Sequence, residues 1–230
     1  MHIDDKKRAA PAAIDDGSYD GLLAERIVET TREIAFEGGF NAVSMRQIAG
    51  RLNVTATAIY YHFKSKADLL DRVAEDIVRN IAVPRADQAS WQSRLREFVL
   101  SMRQTMADYP GLNRHMVNNR NSGAALRWIE TMLDILAQAG FTTETIRPAF
   151  AMLVFFIDPM TLVDDKRHVE DEAIHDAGSL SSRAEADPGN LPNVARFMIG
   201  DVTRTYKSDF ALALDRIIVT IERELDQPGS

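Results

Sequence analysis

The chain has 230 residues, 45 % of them hydrophobic and 27 % charged, with a net charge of −7 and no cysteine. The acidic balance excludes a protein that coats nucleic acid along its whole surface, and the missing cysteine excludes disulfides, thiolate metal sites and cysteine nucleophiles. No stretch has signal-peptide form, and the most apolar run, 149–163, is too short for a bilayer and is interrupted by Asp158-Pro159, so the expected setting is the cytoplasm, with no membrane.

Residues 1–20 are charged and rich in small side chains and read as a disordered arm. Leu22, Leu23, Ile27, Thr30 or Thr31, Ile34 and Ala35 then recur at helical spacing, with Gly38-Gly39 as a stop. Ser44 caps a second helix, 45–52, and Asn53 suits the left-handed residue of a tight turn. Thr55 caps a third helix running to about Phe63, and Ser65 opens a fourth that ends before Pro84. Trp91, Leu95, Phe98, Met102 and Met106 form a further stripe, stopped by Pro110-Gly111. Ala125, Trp128 or Ile129, Met132 and Leu136 form another, stopped at Gly140. A long apolar helix begins near 143–148 and reaches about Val163, with a kink expected at Pro159. The segment 164–190 holds eight carboxylates against three basic residues, with two glycines and a proline, and reads as an acidic loop. A short helix over 191–200 and a strong one over 208–226 complete the chain. With no strand signal, the expected fold class is all-α: a head at 21–66 and a larger helical domain at 67–230.

The head carries the chemistry. From Gly38 to Ala67 there is no Asp or Glu, yet Arg46, Arg51, Lys64 and Lys66 are present, so the remainder of the chain carries −11. A carboxylate-free positive island in an acidic protein is what a polyanion-binding face requires. The two helices of a helix-turn-helix divide the work, the second entering the major groove while the first steadies it. Ile48, Ala49, Leu52, Ile59 and Phe63 have the spacing of inward residues. That leaves Ala56, Thr57 and Tyr60 facing out near the start of the second helix, where small residues let backbone approach bases closely. Arg46 has the reach and fork geometry for a guanine. Ser44, Tyr61, His62 and Lys66 flank this face as candidate phosphate contacts, Thr55 at the start of the second helix is a further DNA-binding candidate, and Arg51 reads as a surface charge near the backbone.

The runs Ala35-Phe36-Glu37-Gly38-Gly39-Phe40, Ser44-Met45-Arg46-Gln47-Ile48-Ala49 and Ile59-Tyr60-Tyr61-His62-Phe63-Lys64-Ser65-Lys66-Ala67-Asp68-Leu69-Leu70 resemble the DNA-binding domain of the tetracycline-repressor (TetR) family of bacterial transcriptional regulators. The resemblance covers about a fifth of the chain, 24–70. It departs from the family where Asn53 replaces the usual turn glycine and where Ala56 and Ala58 replace longer polar residues, which shifts base reading onto Arg46, Thr57 and Tyr60.

The resemblance implies a homodimer that binds double-stranded, palindromic operator DNA and is released by a small-molecule effector. It also implies that late helices form the dimer and that the helical domain encloses the effector. For the dimer interface the candidates are Met152, Phe156, Phe210, Leu214, Ile217 and Ile221; Leu212, Ile218 and Val219 give the last helix a second apolar side, which asks for two partners. For an effector, expected to be largely apolar, they are Phe98, Met102, His115, Trp128, Met132, Phe155 and Asp158, in a region holding seven of the nine methionines.

Enzymatic readings find little purchase: there is no glycine-rich phosphate loop, nucleophile elbow or zinc-protease helix motif, so no catalytic residue, cofactor or resident metal is assigned. The best alternative from that class places a divalent metal on His168, Glu170, Asp171, Glu172 and His175, against which a plain solvated acidic loop is favoured. Within the regulator class the alternative is an activator, or a regulator answering to a protein.

Overall fold

A computed structural model describes residues 16–169, 189–190, 192 and 202–226. Among these the chain is all-α, with helices α1 (Asp16–Gly38), α2 (Met45–Leu52), α3 (Ala56–His62), α4 (Lys66–Arg79), α5 (Trp91–Asp108), α6 (Leu112–Asn118), α7 (Gly123–Gln138), α8 (Thr143–Val169) and α9 (Val202–Asp226).

Local chemistry sets the boundaries. Ser44, Thr55, Ser65, Ser90 and Ser122 each accept a hydrogen bond from the backbone N–H three residues on, satisfying a donor that a helix start leaves open. Asn53 ends α2 in the left-handed region, with φ 54° and ψ 44°, which Asn tolerates better than most side chains. Asp68 adds a second cap at α4, accepting from Lys64 N at 2.9 Å.

The core is continuous from head to body. Ile27, Ile34, Ile48, Ile59, Leu69, Val73, Phe98, Met102, Leu112, Met132, Leu153, Phe210 and Leu214 are all buried in one cluster. The fourth helix packs against both α1 and α7, so it belongs to both parts. Arg94 is buried on α5 and ties two connections together, its Nε donating to Pro84 O and its Nη1 to Gln138 Oε1, both at 2.8 Å. Helix α9 is held to α5 by Arg96–Asp215 at 2.7 Å and by Gln92–Glu222 at 2.6 Å.

Several boundaries depart from expectation. The arm assigned to 1–20 is helical from Asp16; residues 1–15 lie outside the described part. The eighth helix runs unbroken through Pro159 to Val169, so 164–169 is helix, not loop. A proline removes one intrahelical bond, and burial of Ala149, Leu153 and Ile157 on one stripe secures the helix ahead of it. The last helix begins at Val202, six residues earlier than expected, since no Gly or Pro stands between Asp201 and Gln227. The fourth helix ends at Arg79, and α6 was not foreseen at all. The rest of the acidic segment and most of the short helix over 191–200 lie outside the described residues, as do the side chains of Asp158 and of the His168–His175 cluster.

Candidate nucleic-acid interface and effector cavity

Helices α2 and α3 form the expected helix-turn-helix. Ile48 and Ile59 are fully buried and Ala49 and Phe63 nearly so, while Leu52 is half-buried. The opposite face is open: Ser44, Arg46, Thr55, Ala56, Thr57, Tyr60 and Tyr61 are exposed, and His62 and Lys66 are half-buried at its edge. Tyr61 is 77 % exposed and meets the His62 ring edge-on at 5.2 Å. Ser44 and Thr55 spend an oxygen lone pair on their caps, at 3.2 Å each, and keep the hydroxyl proton to donate. Arg46 has no acidic partner among the described residues.

Charge on this face is edited by one pair. Arg51 donates to both carboxylate oxygens of Glu37, its Nη1 at 3.0 Å. That bond holds the exposed Glu37 carboxyl below the usual carboxylate range and raises the guanidinium of Arg51. The cations left to the open face are Arg46, Lys64 and Lys66.

The head is bonded to the body at one seam. Phe40 N donates to Pro110 O at 2.8 Å, and the Phe40 ring sits 5.5 Å from that of His115. Phe36 meets Tyr109 edge-on at 5.7 Å. Gly39 lies at φ 79°, and a Cβ there would stand 2.7 Å from Pro110 O, so the close approach requires glycine. His115 Nε2 is 2.8 Å from Asp71 Oδ1 on α4. The structure therefore places His115 at the seam.

Beyond the seam, Met106 of α5, Asn113, Met116 and Val117 of α6, Arg120, Ala125, Trp128 and Ile129 of α7, and Ile157 of α8 line a cavity of ≈ 30 Å³. Trp128 is 7 % exposed, and its indole N–H is buried without a hydrogen-bond partner among the described residues, a state that costs about 1–3 kcal/mol. Of the expected effector residues whose side chains are described, only Trp128 is on this wall. Phe98, Met102 and Met132 are packed away in the core, and Phe155 is 79 % exposed on the outside of α8. Asn113 and Val117 lie on the short α6, which carries no readable period; Met106 and Met116 are two of the seven methionines of this region, and Ile129 and Ile157 belong to apolar runs.

The expected dimer residues divide in the same way. Phe210, Leu214 and Ile221 are buried against α5 and α8 of their own chain, with Phe210 stacked on Phe156 at 4.9 Å and under Arg103 at 4.4 Å. They fill the inward stripe of α9, which corrects their assignment to an interface. Met152, Phe156 and Ile217 are half-buried. Among the described side chains of these two helices, the large apolar ones left exposed are Phe155, Leu212 and Val219. Among the described residues no group of three or more His, Asp or Glu could hold a metal, and no helix is long and apolar enough to cross a membrane.

Comparison with known proteins extends these observations to the whole chain. Residues 27–73 match the family model for bacterial regulatory proteins of the tetR family, and residues 83–225 match that for the tetracyclin repressor-like C-terminal domain. An HTH-type transcriptional regulator of Saccharopolyspora erythraea is 27 % identical over 178 residues, covering 74 % of this chain and 75 % of the relative. The class C tetracycline repressor protein of Escherichia coli is 26 % identical over 174 residues, covering 72 % and 79 %. Among solved structures, the Streptomyces coelicolor protein ActR in complex with actinorhodin superposes with a TM-score of 0.72 at 22 % identity, over 89 % of this chain and 98 % of that one. BioQ with its double-stranded DNA operator superposes with 0.54 at 21 % identity, over 63 % and 88 %.

Proposed function

The chain belongs to the tetR family of bacterial regulatory proteins, a DNA-binding transcriptional regulator and not an enzyme, and on that footing we propose that it is a cytoplasmic repressor which binds a palindromic operator as a homodimer and lets go when a small, largely apolar effector binds. The observation that carries the reading is the acid-free outer face of α2 and α3, with Arg46, Thr57 and Tyr60 exposed together. Ser44, Thr55, Tyr61, His62 and Lys66 serve as its phosphate contacts, and Ala56 permits close approach to the bases.

The cavity on α6 is the effector site of this proposal. A volume of ≈ 30 Å³ holds about one water and no ring, so a ligand enters only if its wall moves. Asn113 and Met116 on that wall share their short helix with His115, which bonds to Asp71 on α4. Movement of α6 therefore pulls on the helix that carries the reading head. An effector with a 100-fold preference for the moved state supplies about 2.7 kcal/mol of coupling, within the usual range. The repressor names of relatives and the actinorhodin bound by ActR support this reading. Phe155, Leu212 and Val219 support a dimer through α8 and α9.

Selection from a random DNA pool tests the proposal. It is expected to yield two inverted half-sites about 34–36 Å, or a small multiple, apart. Recovery of single, non-repeated sites with a monomeric protein would sink it.

A further inference from the structure

Resting on the assignment of this cavity as the effector site, we propose that the effector is a ring-sized apolar molecule bearing an oxygen acceptor that receives the indole N–H of Trp128. An indole nitrogen donates and never accepts, so only an acceptor on the ligand completes it; an ammonium, which has no lone pair, does not. Trp128 stands on the wall of the cavity, and its Nε1 atom is buried with no partner among the described residues; the movement of the wall that admits a ring is what brings Nε1 within reach of it. The rest of that wall is chiefly Met106, Met116, Ile129 and Ile157. Such a wall rejects a molecule with many hydrated groups and accepts one whose polarity is confined to a carbonyl or similar oxygen. The two methionines have the flexible side chains that widening around a ring needs. A water is the rival occupant: it needs two to four polar partners, and Asn113 and Arg120 stand on the wall with Trp128, so the test must separate the two.

The test uses 1-tetralone and tetralin, two rings of nearly equal size that differ by one carbonyl oxygen, titrated into the full-length chain labelled with nitrogen-15. The protein has two tryptophans, Trp91 and Trp128, so Trp91→Phe identifies the indole resonance of Trp128. The expected result is that 1-tetralone binds about tenfold more tightly than tetralin, a difference of about 1.4 kcal/mol, and moves the Trp128 indole proton downfield while tetralin does not. In Trp128→Phe the preference falls to unity. Equal affinities overturn the proposal but leave the cavity as an effector site; a water held on Nε1 would give this result. A preference that survives Trp128→Phe overturns it likewise. Binding of neither compound overturns the cavity assignment and the proposal together. If Trp128→Phe does not fold, the indole shift in the parent chain decides.

Discussion

His115 Nε2 lies 2.8 Å from Asp71 Oδ1, a hydrogen bond from α6 to α4 at the seam between the reading head and the helices that line the small cavity. Because a carboxylate only accepts, the imidazole proton sits on Nε2 in this contact. Asp71→Asn weakens the bond without removing its bulk. The side chain is partly exposed, so the expected cost is small, about 0.5–1 kcal/mol, seen as a fall of roughly 1–4 °C in the thermal midpoint. Operator affinity without effector stays within a fewfold, and hydrogen exchange of α4 amides quickens. Unchanged exchange in α4 would show that the bond does not brace the head.

Two cations on the open face have different expected phenotypes. Arg46→Ala removes a fork aimed at a base and relaxes specificity, costing roughly 1–3 kcal/mol against the preferred site and little against others. Lys66→Ala weakens all sequences alike and flattens the salt dependence by about one unit. Anisotropy titrations of operator variants over a salt series separate the two. A uniform loss in Arg46→Ala would reassign that residue to phosphate.

The Glu37–Arg51 pair predicts a gain. Glu37→Gln releases the guanidinium beside the DNA face, and non-specific affinity is expected to rise, with a salt slope steeper by up to one unit. The same titrations on scrambled DNA check it; no change in slope would place Arg51 out of reach of the backbone.

Phe155 is 79 % exposed on α8. Phe155→Asp is expected to shift sedimentation from twice the chain mass toward the chain mass and to abolish tight binding to a two-half-site operator, while single half-site binding stays weak and unaltered. A variant that remains dimeric would move the interface elsewhere.

The reading head was legible because its determinants are local. Ser44, Thr55 and Ser65 each cap within three residues, Asn53 takes the turn, and Ile48, Ile59 and Phe63 face inward at helical spacing. The body was legible only as helices. A helix apolar on two sides does not state which side is inward: Phe210 and Leu214 face the core, and Leu212 and Val219 face out. The cavity depended on α6, seven residues after Pro110-Gly111, too short to show a period and hidden behind residues that read as a stop. His115 looked like a ligand contact because its partners, Asp71 and Phe40, are far away in sequence and come together only in the fold.

The contact of Gly39 with Pro110 bears on how such proteins are recombined. A chimaera that exchanged residues 27–73 between relatives would carry Gly39, Phe40 and Asp71 but leave Pro110 and His115 behind. The donor head would then rest on a foreign turn, with a carbonyl 2.7 Å from any added Cβ at position 39. Operator specificity is therefore more safely transplanted by grafting the outer residues of α2 and α3 than by moving the head whole, and a whole-head graft should be built with the 109–115 turn included.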